Sequence, residues 1–272
     1  MEMPSKYFYD KKAAEKAVNW IEKDVTRVKG ELQGKPVILE DWQKNDIVKP
    51  LFGWKNKQTK LRKYRTIYIE LPRKNAKSTL AAAIGLYLLT ADGEPGAEIY
   101  SAAADRGQAG IIFDVAKRMV IQRKALSMRV NTWRNSIEYP KTGSHYKAIS
   151  ADASTKHGFN AHGIIFDELH TQKNRELFDV LTTSVGSRRQ PVTLLLTTAG
   201  TDRNSICYEM HEYARKVKDG VIEDDTFLGI VYSAPKEMDI FDLKTWKLAN
   251  PGFGSIVKAD YIESEAQRIR NN

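Results

Sequence analysis

A chain of 272 residues, 42% hydrophobic, 28% charged and 10% aromatic, has an ordinary globular make-up, which excludes a disordered tail, a collagen-like chain and a low-complexity linker. The longest nearly unbroken apolar run, Leu80 to Leu89, is too short to span a bilayer, and an N-terminus with Glu2, Lys6, Asp10, Lys11 and Lys12 has no signal-peptide core, so the chain reads as cytosolic. One cysteine, Cys207, rules out an internal disulfide framework, the five histidines form no close metal-ligand pair, and a net charge of +9 suits a phosphate-bearing partner without requiring one.

In chain order, Asp10 to Lys29 places Ala14, Ala17, Val18, Ile21, Val25 and Val28 at helical spacing. Gly34-Lys35-Pro36 breaks that helix, and Leu39 to Leu51 reads as a second, short one that stops near Pro50. At Thr66 the texture changes. TIYIEL is a β-branched and aromatic strand, PRKNAKST a short loop, and LAAAIGLYLL a buried helix. AEIYSAAA is a further strand, and Gln108 to Gln122 is helical. Short strands are expected at Met128 to Asn131, Ser136 to Tyr139 and Tyr146 to Ser150. GIIFDEL and PVTLLLTTAG read as buried strands, Ile206 to Lys218 as a helix and Phe227 to Tyr232 as a strand. Continuous apolar strands alternating with helices predict an α/β fold with a mainly parallel sheet covered on both faces. The turn-rich stretch from Ser233, with Asn250-Pro251-Gly252-Phe253-Gly254 and a polar helix from Lys258 to Arg270, predicts a small lid subdomain at 233–272 attached to a core at 1–232.

Two constellations carry chemistry. Arg73-Lys74-Asn75-Ala76-Lys77-Ser78-Thr79 lies between a strand and a helix. A phosphate site needs backbone N–H groups, a helix N-terminus, a lysine for the phosphates and a hydroxyl for Mg²⁺. The usual glycine-rich pattern has glycine where this chain has Leu71 and Ala76, so the loop alone reads as a solvated basic turn before it reads as a phosphate site. The second is Asp167-Glu168 at the end of an apolar strand. There an NTPase places one acid for Mg²⁺ and one to orient or deprotonate the attacking water. Together, with another strand between them, they match the layout of P-loop NTPases of the additional-strand type. Thr197-Thr198-Ala199-Gly200 ends the next strand, where α/β sheets bind ligands. Gln43 carries an amide able to pair with adenine by one donor and one acceptor.

LEDWQ, LFGW, LPRKNAKST, GIIFDELH, SRRQP, LLLTTAG and LANPGFG follow in the order found in large terminase subunits of tailed bacteriophages, and from about residue 35 onward the chain resembles that family. The resemblance implies an ATP- and Mg²⁺-dependent motor domain that drives double-stranded DNA into a procapsid. Gln43 would sit on adenine, with Arg73, Lys74, Asn75, Ala76, Lys77, Ser78 and Thr79 on the phosphates. Ser78 and Asp167 would hold Mg²⁺, Glu168 would be the catalytic base, and Thr197, Thr198 and Gly200 would couple hydrolysis to movement. A trans-acting arginine is expected from Arg188 or Arg189 or from Arg106, with Lys156 as a weaker alternative. The implied partners are non-specifically bound duplex DNA, a portal protein, a small terminase subunit and further copies in a ring, without membrane contact. The expected location is the bacterial host cytoplasm at the procapsid portal. Candidate DNA contacts are Arg62-Lys63-Tyr64-Arg65, Arg118 with Arg123-Lys124, and Arg215-Lys216-Val217-Lys218. With no room for a nuclease domain of the kind family members carry, the chain reads as the ATPase half. The rival readings are a helicase-like or non-motor nucleic-acid-stimulated ATPase and a binding module that no longer hydrolyses nucleotide.

Overall fold

The computed structural model describes residues 5–150, 158–172 and 175–271. Its centre is an eight-stranded sheet in the order β10-β3-β9-β8-β4-β7-β6-β5. The strands are β3 (Thr66–Glu70), β4 (Glu98–Ala103), β5 (Asn131–Thr132), β6 (Ile137–Tyr139), β7 (Ser144–Ser150), β8 (Ala161–Phe166), β9 (Val192–Thr197) and β10 (Phe227–Val231). From β10 to β7 all pairings are parallel, and β6 and β5 close one edge antiparallel. A separate ribbon joins β1 (Tyr7–Tyr9) to β2 (Trp54–Asn56).

The period of two along each strand divides the core. Ile67, Ile69, Ile165, Leu194 and Leu196 enter one apolar cluster. There they meet α1 (Lys11–Asp24), α2 (Lys49–Gly53), α3 (Lys77–Thr90) and α4 (Arg106–Gln122). Tyr68, Ile164, Phe166 and Leu195 enter the other, under α6 (Glu176–Thr183) and α7 (Ile206–Lys218). α3 is apolar all round because it is buried all round, from Leu80 to Leu89. Its close approach to β8 depends on glycine: a Cβ at Gly85 would stand 2.9 Å from Ile165 Cδ1, and one at Gly163 2.9 Å from Leu88 Cδ1.

Three expectations change. The helix read as stopping near Pro50 widens into a π-helical stretch, Gln43–Val48, and then runs on as α2 to Gly53. Pro50 lies in the first turn of α2, where its missing N–H costs little. The strand spatially between β3 and β8 is β9, which follows both in sequence, whereas β4 lies on the far side of β8. Residues 233–271 add no strand to the sheet; they carry α8 (Leu243–Ala249) and α9 (Ala259–Arg270), and α9 buries none of its residues. A short α5 (Lys124–Ser127) follows α4, so the strand expected from Met128 begins only at Asn131.

Candidate nucleotide site

Parallel strands present all their carboxyl ends on one edge. Glu70 at the end of β3 pairs with Thr197 at the end of β9, and Phe166 of β8 lies beside Leu195. The loop after β3 and the acid pair after β8 therefore emerge on either side of β9. A cleft of about 700 Å³ opens there, lined by Gln43, Arg73, Lys74, Ala76, Lys77, Ser78, Thr79 and Glu168.

The loop bends through Lys74 (φ 71°) and Ala76 (φ 57°), both left-handed. Ala76 thus adopts the conformation that glycine takes without strain, at about 1–2 kcal/mol. Lys77 opens α3 and is buried, its Nζ donating to Leu71 O at 3.1 Å. Burial lowers its pKa, and the charges of Glu168 and Asp167 partly oppose that. Asp167 is 5% exposed, with its pKa pushed up to about 6 by burial and by the neighbouring Glu168; the Glu168 N–H and Lys77 pull the other way. Glu168 itself is left-handed at φ 48°. Three of the four non-glycine residues with positive φ among the described residues thus lie at this one site, which is where stored backbone strain marks function.

Mg²⁺ is the implied metal. Among the described residues no three His, Cys, Asp or Glu side chains converge as a metal site. Asp167 nevertheless fits a cation. Its desolvated carboxyl has Lys77 as its charged counterpart and the repulsion of Glu168 beside it, and a divalent ion would offset both penalties. Mg²⁺ is commonly held by one or two carboxylates together with ligand phosphates, so Asp167 and the Ser78 hydroxyl are a sufficient protein share.

The structure corrects several roles. The Asn75 side chain turns away from the cleft. It is 1% exposed, its Nδ2 donates to Asn250 Oδ1 at 3.2 Å, and its Oδ1 accepts from Gly252 N at 3.0 Å. Only the Asn75 backbone can face a phosphate; its amide ties the loop to the NPGFG segment instead. Thr197 is fully buried and its hydroxyl donates to Thr198 O at 2.7 Å, which leaves nothing for a ligand. Thr198 and Gly200 stand beside His170 and do not line the cleft. Gln43 lines the cleft, but its Oε1 already accepts from Glu40 N at 3.0 Å.

Arg188 and Arg189 precede β9, so they lie at the amino edge of the sheet. Arg188 Nε and Nη2 donate to Asn160 O and Gly96 O at 2.8 Å each. With Glu94 and Glu98 both at 3.8 Å, its guanidinium is a structural brace, not a free finger. Arg189 lines a small pocket with Arg62 and Asp92 at the same edge. Lys156 and the Arg106 side chain lie outside what is described. The run from Arg62 to Arg65 is likewise no solvated face, since Arg62 is buried against Asp92 with both nitrogens at 2.9–3.0 Å.

Sequence reasoning missed Arg27 and Val28, which line the cleft near Gln43, and Ile256, which closes it from the C-terminal segment. It also missed His170 and Asn250. Both stand within the quoted motifs, DELH and NPGFG, but only tertiary contact shows their partners.

A strained phosphate-type loop after β3, an acid pair after β8 and β9 inserted between them define an additional-strand P-loop NTPase. The family described as "Terminase large subunit, ATPase domain" matches residues 41–216, and the chain belongs to it. It is 27% identical over 260 residues to the large terminase subunit of Enterobacteria phage HK97, covering 93% of this chain and 49% of that protein. With the large terminase subunit of Lactococcus phage p2 it shares 24% identity over 266 residues, 93% of this chain and 48% of that one. The crystal structure of the HK97 large terminase superposes with a TM-score of 0.81 at 24% identity, covering 95% of this chain and 52% of that one. The chain spans about half the length of these relatives.

Proposed function

We propose that this ATPase is the motor domain of a phage DNA-packaging machine, hydrolysing Mg²⁺·ATP to drive duplex DNA into a procapsid. The observation that carries the reading is the convergence of Lys77, Ser78 and Glu168 on one cleft, with Asp167 beside them, from carboxyl ends that flank β9. Backbone N–H groups from Arg73 to Ser78 and the N-terminus of α3 meet the phosphates, and Lys77 neutralises their charge. Arg73 and Lys74, both exposed at the cleft, add positive charge at its mouth. The Gln43 amide has a donor to offer adenine. Glu168 takes the proton of the attacking water, and its fixed backbone limits where that water can sit. Asp167 and Ser78 would hold Mg²⁺, which would supply neutralisation of the phosphate charge.

Residues 233–272 act as a lid subdomain, anchored on the loop through Asn75. With Arg188 braced and Arg189 exposed at the far edge, a neighbouring copy in a ring would supply its arginine from the start of α4, at Arg106. DNA is held by its backbone, either at the exposed Arg215, Lys216 and Lys218 on α7 or, on the opposite face of the sheet, at Arg118 and Lys124. Portal protein and small terminase subunit are the further partners, at the procapsid in the host cytoplasm.

Phosphate release measured against protein concentration tests the reading. A ring motor activates superlinearly, and mixing Glu168→Gln with Arg106→Ala subunits restores part of the activity. A titration of two unrelated duplexes at several salt concentrations should give weak, salt-sensitive binding to both; tight, salt-insensitive binding to one alone would contradict a packaging motor.

A further inference from the structure

The side chain that joins the catalytic carboxylate to the end of β9 is His170. It lies in the 3₁₀ turn Leu169–Thr171, directly after Glu168. Its Nδ1 is 3.1 Å from Thr197 Oγ1 and 3.5 Å from Thr198 Oγ1. Its backbone N–H also donates to Thr197 Oγ1 at 3.3 Å. On the other side the same Nδ1 is 3.3 Å from Glu168 Oε2. That oxygen is buried and makes no hydrogen bond, so the short approach is an alignment not yet closed.

The hydroxyl favours one tautomer. Thr197 Oγ1 has one proton, donated to Thr198 O at 2.7 Å. Toward His170 it can only accept, so the 3.1 Å contact favours the imidazole with its proton on Nδ1 over the tautomer in which Nδ1 accepts from the more distant Thr198 Oγ1 at 3.5 Å. One Nδ1–H then faces two acceptors, the Thr197 hydroxyl and the unpaired Glu168 carboxylate oxygen. It can bond fully to only one. A buried carboxylate oxygen left unpaired is costly, more so than a neutral one, so a small turn of the ring toward Glu168 is favoured whenever Thr197 releases it. The room for that turn is bounded by Gly200, where an added Cβ would stand 3.3 Å from His170 Cβ.

We propose that His170 is a positioning residue, handing a single Nδ1–H between Thr197 and Glu168 so that the aim of the catalytic carboxylate follows the loop after β9. With the N–H bonded to Glu168 Oε2, the carboxylate is fixed and its other oxygen is aimed to take a proton from water. With it bonded to Thr197, the carboxylate loses that hold and its aim. The loop after β9 leads into α7, so a change there reaches the base through one side chain. The inference rests on Glu168 being the base.

The experiment compares His170→Ala, His170→Asn and Glu168→Gln for kcat, for affinity toward a fluorescent ATP analogue with Mg²⁺, and for melting temperature. Glu168→Gln isolates the underlying reading: if it keeps turnover, the base assignment fails, whatever His170 does. With that variant inactive, His170→Ala should lower kcat by about 10- to 100-fold, the scale of a misplaced catalytic group, with nucleotide affinity and melting temperature unchanged. His170→Asn places an amide N–H where Nδ1–H stands and should recover most of the loss. Wild-type kcat in His170→Ala overturns the proposal, as does an Asn variant no better than Ala. ¹⁵N spectra of labelled histidine supply a readout without turnover: the Nδ1–H tautomer is expected, and an Nε2–H tautomer for His170 overturns it.

Discussion

The two edges of the same sheet treat buried charge in opposite ways. At the amino edge Asp92 receives both nitrogens of Arg62 and the Nε2 of His162 at 2.8 Å, and Arg62 also donates to Gln190 O. Burial alone would raise the Asp92 pKa, but Arg62 and His162 together hold it far below the usual carboxylate range. At the carboxyl edge Asp167 stays raised to about 6, Glu168 Oε2 has no hydrogen bond, and Lys77 leans on a carbonyl. At one edge opposite charges meet directly and the carboxylate is fully paired, although Arg62 Nε and His162 Nδ1 make no hydrogen bond. The other edge keeps its charges under-satisfied, which is tolerable only where a charged ligand completes them.

The contrast breaks first at Lys77. Lys77→Ala should abolish nucleotide binding and turnover while leaving the melting temperature within a few degrees; retained affinity in a titration would mean that the cleft is not the phosphate site. At the opposite edge Asp92→Ala strands Arg62 and should cost about 3–5 kcal/mol in denaturant unfolding, the scale for breaking a buried ion pair, with no specific effect on nucleotide affinity. Arg188→Ala should follow the same pattern more weakly, and a variant that lost turnover without losing stability would restore Arg188 as a candidate finger.

The two aspartates give opposite pH signatures. The folded-state pKa of Asp92 is depressed, so its contribution is present above the unfolded value and lost as pH falls through the folded one. Asp167 is raised to about 6, so its folded form binds protons more tightly than the unfolded chain. Its cost to stability therefore grows as pH rises from the ordinary aspartate value of 3.8 to about 6, and persists above. Asp167→Asn should stabilise the metal-free protein at pH 7 by roughly 1–3 kcal/mol, since each tenfold gain in proton affinity corresponds to about 1.4 kcal/mol, while losing Mg²⁺-dependent activity. In the unaltered protein the Mg²⁺ needed for half-maximal activity should rise as pH falls below about 6, because proton and metal compete for one carboxylate; an Mg²⁺ requirement independent of pH would remove Asp167 as the ligand. The smallest effect is expected at Ala76→Gly, which relieves a left-handed alanine at φ 57° but loosens the unfolded chain. Its net gain should be at most about 1 kcal/mol.

The legible part of the molecule was its periodicity. Thr66–Glu70, Val192–Thr197 and α3 announce themselves because buried strands and helices need long apolar runs, and the acid pair is visible because it ends one of them. The loop was readable as phosphate-type only with help from the family, since Ala76 does by strain what glycine does freely. What stayed hidden depends on contacts across the chain. Asn75 reads as a phosphate ligand until Asn250 and Gly252, 175 and 177 residues away, claim its amide. Arg188 and Arg62 look like surface cations until Glu94, Glu98 and Asp92 enclose them. A basic residue in sequence has no partner until the fold supplies one.

The most direct test of the account is Mg²⁺-dependent phosphate release by Glu168→Gln, with nucleotide binding followed in the same sample. Binding comparable to the parent protein with turnover lowered by at least about 100-fold, the lower range for loss of a general base, is the result the account predicts. Turnover equal to that of the parent protein would contradict it, and would move the catalytic centre away from the acid pair after β8.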